Sequence, residues 1–245
     1  MDIEKKYELI PSDKEGLFRI KALKCFGGVM IGEIGGYVEC ENNLSQYGDC
    51  WIYCDAVVRD NARVEDNARV WGKAVVQDNA IVCGNAQVYD STVVCNNANV
   101  YDNAEVCDNA VIQDNVIIRG DARIIDNAIV RDNVVVSGEA DIRGNAIISS
   151  NRDYIVFKNW WSSGRYFTWT RSNNMWKVGC FYGTGEELIA KAYEDSEESG
   201  REYERIVKYV EEVNNPYTQT LEKTWKYKIY IKLLSLKTII AKLLQ

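Results

Sequence analysis

Histidine is absent from this sequence of 245 residues, and proline occurs only twice. Without an imidazole, the chain lacks the side chain that proteins use most often as a general base and as a metal ligand. The eight cysteines form no Cys-x-x-Cys pair, so a zinc site is not indicated. These absences predict a protein with no enzymatic activity, no catalytic residue, no metal and no cofactor.

Long apolar runs and an excess of positive charge are also missing. No uncharged apolar stretch has the length of a transmembrane helix, and no secretory leader opens the sequence. We therefore expect a cytoplasmic protein with reduced thiols. The net charge is −7, and because the residues from Leu221 onward carry six lysines against one glutamate (+5), the remainder carries −12. An acidic body disfavours binding to duplex nucleic acid.

A period of six residues dominates the centre of the sequence. Sixteen blocks run from Cys54 to Ser149 without an insertion, and Gly48 to Tyr53 forms a seventeenth. Position five is always Val or Ile in the sixteen, position three is almost always Ala, and positions one and two are commonly Asp or Gly followed by Asn. The pattern indicates a short strand with an inward β-branched side chain, then a turn. Such strands bury their inner faces only by stacking in successive coils.

This repeat resembles the left-handed parallel β-helix of hexapeptide-repeat proteins, in which a small residue follows an aliphatic one by four positions, as Ala68 follows Val64. The resemblance implies a three-sided coil of 18 residues, so the seventeen blocks make about 5.7 coils. We expect a mainly β fold with a β-rich cap at 1–47, the β-helix at 48–150, a small module of strands and helices at 151–214, and a basic amphipathic tail at 215–245.

Residues 18 apart lie above one another in such a coil, so position four gives one outward column per face. One column is apolar at every level, the next is mixed and the third is polar. We predict that the apolar column mediates self-association, and the resemblance favours a trimer; the alternative is that the chain's own C-terminal segment covers it. This apolar column contains Val57, Val75, Val93, Val111, Ile129 and Ile147.

The polar face also carries an aromatic ladder at position six, formed by Tyr53, Trp71 and Tyr89. Such a ladder can stack a planar ligand, but cross-coil stacking that stabilises the solenoid is the more common role. One corner stacks acidic turn residues such as Asp60 and Asp78, which we interpret as turn chemistry rather than as a calcium site.

The segment after the repeat is rich in tryptophan and has cations beside the rings. Alternating apolar residues predict three strands, at Tyr154 to Phe157, Arg165 to Arg171 and Trp176 to Tyr182, followed by two helices. Aromatic planes beside guanidinium groups suit a nucleobase with its phosphate, whereas a small module also needs large rings to form a core. The predicted ligand-binding residues are Trp160, Trp161, Arg165, Trp169, Arg171 and Trp176.

The tail has apolar residues at spacings of three and four from Ile229 to Leu243. This seam favours packing on a partner or another subunit over contact with a membrane surface.

The layout also resembles uncharacterised proteins of phages and prophages, on the segments Gly35 to Ser45 and Gly179 to Thr184 and over about residues 5–213. The resemblance implies a viral protein in the cytoplasm of an infected bacterium. We expect a non-catalytic, oligomeric binding protein that sequesters a ligand, such as a nucleotide immune signal, or blocks a host defence protein. The alternatives are a scaffold that binds another protein through its faces and tail, and a hexapeptide-repeat acyltransferase that lacks the usual histidine.

Overall fold

The computed structural model describes residues 5–161 and 163–214. These residues form two compact units, with the boundary between Thr184 and Gly185. The predicted basic tail at 215–245 lies outside the described residues.

The first unit opens with an antiparallel cap. Its strands are β1 (Tyr7–Pro11), β2 (Phe18–Ala22) and β3 (Ile34–Val38), and a 3-10 turn follows at Glu41–Asn43. β3 pairs in parallel with the first solenoid strand on its face, so the cap continues one face of the solenoid rather than forming a separate sheet. β3 contains Gly35 and Gly36, although glycine has a low propensity for strands. A Cβ at Gly35 would lie 2.5 Å from the Ile52 carbonyl oxygen, so the close approach of β3 requires glycine there.

Seventeen strands of two residues follow, one for each block of the repeat, at positions four and five. They are β4 (Trp51–Ile52), β5 (Val57–Val58), β6 (Arg63–Val64), β7 (Arg69–Val70), β8 (Val75–Val76), β9 (Ile81–Val82), β10 (Gln87–Val88), β11 (Val93–Val94), β12 (Asn99–Val100), β13 (Glu105–Val106), β14 (Val111–Ile112), β15 (Ile117–Ile118), β16 (Arg123–Ile124), β17 (Ile129–Val130), β18 (Val135–Val136), β19 (Asp141–Ile142) and β20 (Ile147–Ile148).

Each strand pairs in parallel with the strand 18 residues later, as Val57 pairs with Val75. The result is three sheets around one core: β5-β8-β11-β14-β17-β20 joined to the cap, β6-β9-β12-β15-β18, and β4-β7-β10-β13-β16-β19. The predicted fold class, a mainly β three-sided parallel solenoid followed by strands and helices, is confirmed.

The repeat positions have the predicted roles. Position-five and position-three side chains such as Val64 and Ala68 are fully buried. Position-one residues such as Asp60 have a positive φ (56°), which Asp and Gly tolerate better than other residues. The Asp60 carboxylate also accepts the N–H of Asp78 in the next coil at 3.2 Å. This bond gives the acidic corner a structural role.

Position-two asparagines form a ladder that the repeat pattern did not reveal. Asn61, Asn79, Asn97 and Asn115 each donate from Nδ2 to the Oδ1 of the residue 18 positions later, and Asn133 is the last acceptor. The four bonds measure 2.9–3.1 Å. Asparagine therefore both permits the turn and joins neighbouring coils.

A buried lysine fastens the cap to the first coil. Lys6 is 1% exposed, and its Nζ lies 3.1–3.3 Å from the carbonyl oxygens of Tyr47, Gly48 and Cys50 and 3.2 Å from Cys50 Sγ. Phe26 packs edge-on against Trp51 beside this site, with ring centroids 5.4 Å apart. The first coil is closed by these contacts.

Beyond the repeat, four antiparallel strands form a small sheet: β21 (Tyr154–Lys158), β22 (Tyr166–Thr170), β23 (Met175–Val178) and β24 (Phe181–Gly183). The expectation of three strands was one short, because a turn with Gly179 at φ +55° divides the run from Trp176 to Tyr182. The sheet is joined to the last coil by a hydrogen bond from the Asp141 N–H to Thr168 Oγ1, 2.9 Å.

The second unit contains α1 (Gly185–Asp195) and α2 (Glu197–Asn214), which pack on each other. A Cβ at Gly200 would lie 2.2 Å from the Tyr193 ring, so glycine permits their close contact. The second helix begins after Ser196, whose Oγ accepts the Ser199 N–H at 3.1 Å. In the described part of the chain, neither helix is long and apolar enough to cross a bilayer.

Candidate functional site

The face formed by β4, β7, β10, β13, β16 and β19 carries the aromatic ladder. Trp71 and Tyr89 stack in parallel, with ring centroids 4.3 Å apart and an interplanar angle of 3°. The position-four side chains beside them are polar from the second coil upward, beginning with Arg69 and Gln87. This face therefore combines a rigid aromatic surface with hydrogen-bonding groups.

A groove of about 470 Å³ lies next to Trp71, and we call it the Trp71 groove. Its lining residues are Tyr53, Cys54, Arg69, Trp71 and Gln87. A smaller hollow of about 240 Å³ adjoins it, lined by Asn67, Arg69, Asn85 and Gln87. The two hollows share Arg69 and Gln87, so they form one continuous surface of aromatic, amide and guanidinium groups.

The Arg69 side chain is positioned by the cap. Its Nη2 donates a hydrogen bond of 2.9 Å to the carbonyl oxygen of Gly27. The Gly27 backbone has a φ of +49°, and a Cβ there would lie 2.7 Å from the Asp49 Cβ, so glycine allows the loop to approach the first coil. The loop thus fixes one wall of the groove.

A chain of polar contacts holds the other end of the ladder. The Tyr89 hydroxyl donates to Glu105, whose second oxygen accepts from Arg123 Nε at 2.6 Å. Arg123 also lies 3.8 Å from Asp141, which pairs with Arg143 at 2.6 Å. Burial would raise the pKa of Glu105, but the hydrogen bonds from Tyr89 and Arg123 and the charge of Arg123 outweigh it and lower the pKa. Burial and the bond to Glu105 raise the pKa of Tyr89.

The apolar column lies on a different face, formed by β5, β8, β11, β14, β17 and β20. Its first five side chains are half-buried, and Ile147 is 42% exposed. At the cap end the column meets Tyr37, whose ring lies under Lys14 Nζ (3.8 Å) and Arg19 (4.4 Å). Position six of this face supplies a polar margin of Arg59, Gln77, Gln113 and Arg131. An apolar strip with a polar margin is typical of a subunit interface.

The residues predicted as a ligand site in the C-terminal sheet do not all share one surface. Trp169 and Trp176 are 3% and 1% exposed, and their rings lie 6.5 Å apart. Both therefore belong to the core of the sheet. Trp160 is 83% exposed, and its ring meets that of Trp161 edge-on at 6.0 Å.

The two arginines of that prediction are placed separately. Arg171 lies 3.8 Å from the Asp153 carboxylate. Arg165 lies against Gly179, where an added Cβ would be 3.0 Å from Arg165 Cδ. The ligand-binding role of these six residues stays a prediction.

Sequence reasoning identified the aromatic ladder but not the groove. The signal was the aromatic residue at position six in three successive coils, which is visible once the 18-residue coil implied by the resemblance is applied to the repeat. The missing part was the loop at Gly27, because its contact with Arg69 joins residues 42 positions apart in the sequence.

No family model matches this sequence. The chain is similar to a curated protein of Escherichia coli (strain K12), the uncharacterized acetyltransferase YdcK, with 34% identity over 64 residues. The match covers 23% of this chain and 20% of that protein, so the chain spans about a fifth of its relative's length.

The likeness supports a β-helix of the hexapeptide-repeat type. It also overturns one expectation from the sequence: the prediction of a chain without enzymatic activity is wrong on this comparison, because the matching protein is named as an acetyltransferase.

Proposed function

We propose that this protein is an oligomeric binding protein whose β-helices associate side by side through the apolar column. The observation that carries the proposal is that six outward positions in succession are apolar and partly exposed on one face alone. The equivalent columns on the other two faces contain charged or amide side chains. The resemblance to hexapeptide-repeat proteins favours a trimer.

The size of the apolar column supports an assembly that also uses its polar margin. Burying the exposed half of an aliphatic side chain stabilises an interface by about 1 kcal/mol, so six residues contribute roughly 6 kcal/mol. Association of two proteins costs roughly 4–15 kcal/mol in lost freedom. Contacts by residues such as Arg59 and Arg131 would supply the rest, and in a closed ring each subunit makes two interfaces.

The test is the native mass of a variant with Val93→Asp and Val111→Asp. Two buried carboxylates at neighbouring levels of the interface should dissociate the assembly. The matched control is Asn99→Asp with Ser137→Asp, which adds the same charges to the face of β6 and β12. We expect a monomer for the first variant and an unchanged mass for the control. A first variant that keeps the wild-type mass contradicts the proposed interface.

The finer forms of this proposal differ in what the assembly binds. Arginines near aromatic rings favour a nucleotide immune signal, held between subunits or at exposed groups such as Trp160, and the runner-up is a host protein bound by the faces. Native mass spectrometry of protein purified from infected, defence-competent bacteria separates the two. An added mass of nucleotide size supports the first form, and an added polypeptide supports the second.

Acetyl transfer is a second candidate function, and the likeness to YdcK is the observation that favours it. Because the chain has no histidine, another side chain, such as a carboxylate, would act as the general base. Incubation with acetyl-coenzyme A and a mixture of amine and hydroxyl acceptors tests this candidate. Release of the free thiol that depends on the acceptors supports acetyl transfer, and release at the rate of buffer alone argues against it.

A further inference from the structure

We propose that the Trp71 groove binds a flat, uncharged heteroaromatic ring of the nucleobase or nucleoside class, which extends the stack of Trp71 and Tyr89. The inference rests on the proposed binding role and adds to it a second site, for a ligand without the phosphate of the nucleotide form. It concerns a different part of the molecule from the tryptophan-rich C-terminal sheet.

The stack has one closed end and one open end. Tyr89 covers one face of the Trp71 ring in a parallel arrangement, at 4.3 Å between centroids. The opposite face is directed toward the first coil, where Tyr53 and Cys54 line the groove. Tyr53 packs against the solenoid core. Trp71 lines the groove, so a flat ligand that enters it can stack on the Trp71 ring.

The stack is also held in place before a ligand arrives. The Tyr89 hydroxyl is bonded to Glu105, and Glu105 is bonded to Arg123. A ring whose orientation is fixed on both its face and its edge loses little freedom when a ligand binds, so more of the stacking energy appears as affinity. Base–aromatic stacking accepts many flat rings, because each has a π-face.

Polar groups along the groove suit the edge of a heterocycle. Arg69 supplies N–H donors in a fixed orientation, and Gln87 supplies both a donor and an acceptor. In the adjoining hollow the Asn67 amide donates to Asn85 at 3.1 Å, so these amides too have fixed directions. Amide and guanidinium groups are the usual partners of ring nitrogens and carbonyls in bases.

The charges near the groove favour an uncharged ligand over a phosphate-bearing one. Burial raises the pKa of Tyr53; the positive charge of Arg69 opposes this shift, and the negative charges of Glu33 and Asp49 add to it. Arg19 also donates to the carbonyl oxygen of the groove residue Cys54 at 3.1 Å and lies 4.0 Å from Asp55, so two cations and three anions surround this groove, within a chain of net charge −7. A phosphate would gain attraction from the two arginines and meet repulsion from the three carboxylates.

The experiment is saturation-transfer NMR with adenosine, AMP and methyl glucoside at equal concentration. We expect transfer to the base protons of adenosine, no tighter binding of AMP, and no transfer to the glucoside. In Trp71→Ala, adenosine should bind about 5- to 150-fold more weakly, the effect of losing one base–aromatic stack. The matched control is Tyr101→Ala, which removes a position-six ring from another face and should bind adenosine like the wild type. Gln87→Trp fills the groove without removing the stack and should also abolish binding.

Four outcomes would overturn the inference: no transfer to adenosine, binding that survives in both Trp71→Ala and Gln87→Trp, tighter binding of AMP, or binding of the glucoside instead. Thermal unfolding of each variant shows whether a lost signal reflects a lost fold, and Gln87→Trp provides the decision if Trp71→Ala unfolds. The groove lies within one subunit. Adenosine binding by the Val93→Asp and Val111→Asp variant therefore separates failure of this inference from failure of the proposed assembly.

Discussion

Replacement of Lys6 by methionine should loosen the cap selectively. The Lys6 ammonium lies among three carbonyl oxygens and the Cys50 sulfur at 3.1–3.3 Å, and the side chain is 1% exposed. Methionine has a similar length but no donor. The substitution therefore keeps the packing and leaves the carbonyl groups without the hydrogen bonds that the lysine supplies.

Two opposing effects determine the size of the change. Each buried acceptor that loses its donor costs about 1–3 kcal/mol. Removing the ammonium also removes the cost of its burial, which amounts to several kcal/mol for a buried ion. Burial lowers the pKa of Lys6, in agreement with such a cost, while the nearby Cys50 and Asp49 oppose that shift. We expect a net loss of about 2–4 kcal/mol, because three acceptors outweigh one relieved charge.

Hydrogen exchange measured by mass spectrometry is the appropriate assay, because coils of a solenoid contact only their neighbours and the effect should stay local. Protection should fall about 30- to 1,000-fold in peptides that contain β1 and the first coil, and should remain unchanged near β16. Lys5→Met is the matched control, since Lys5 is exposed and pairs with Glu41 at the surface. Equal protection in the Lys6 and Lys5 variants would refute the reasoning.

Three further predictions concern the solenoid. Asn97→Ala removes two hydrogen bonds of the asparagine ladder and should lower the free energy of unfolding, measured in urea, by about 1 kcal/mol. An unchanged free energy of unfolding would show that these asparagines serve only to form the turns. Glu105→Gln should lower the free energy of unfolding by about 1 kcal/mol at neutral pH. The folded-state pKa of Glu105 is lowered, so this difference is fully present above the unfolded-state pKa of about 4.3 and should disappear as the pH falls through the lower folded-state pKa. A difference that persists in strong acid would contradict the ion pair. Burial raises the pKa of Cys107 to about 11. Iodoacetamide should therefore label Cys107 about a hundredfold more slowly than the exposed Cys25 and Cys180 at pH 8. Equal labelling rates would contradict the burial of Cys107.

The solenoid could be predicted from the sequence because each block satisfies the same local rule. Val or Ile at position five and mostly Ala at position three recur from block to block, so the period and the inward positions follow from spacing. The three columns follow from the 18-residue coil that the resemblance to hexapeptide-repeat proteins implies. The ends follow no such rule. The strand at Ile34–Val38 depends on how closely Gly35 approaches Ile52, and that contact is set by tertiary packing.

The candidate site could be predicted only in part, for the same reason. Trp71 and Tyr89 are 18 residues apart, so their stacking follows from the repeat together with the 18-residue coil that the resemblance implies. The groove beside them depends on a loop that brings Gly27 to Arg69, and no local pattern encodes this contact. In the C-terminal sheet, the sequence could not distinguish the buried rings of Trp169 and Trp176 from the exposed ring of Trp160. Alternation of apolar and polar residues does not identify the buried face of a strand when both of its faces are covered, as in β22.

The central claim is that β-helices of this protein associate through the apolar column. Its most direct test is the native mass of the wild-type protein in solution at micromolar concentration. The account predicts an assembly, with a mass of three times the 27.9 kDa chain for the favoured trimer. A protein that remains at 27.9 kDa would contradict it.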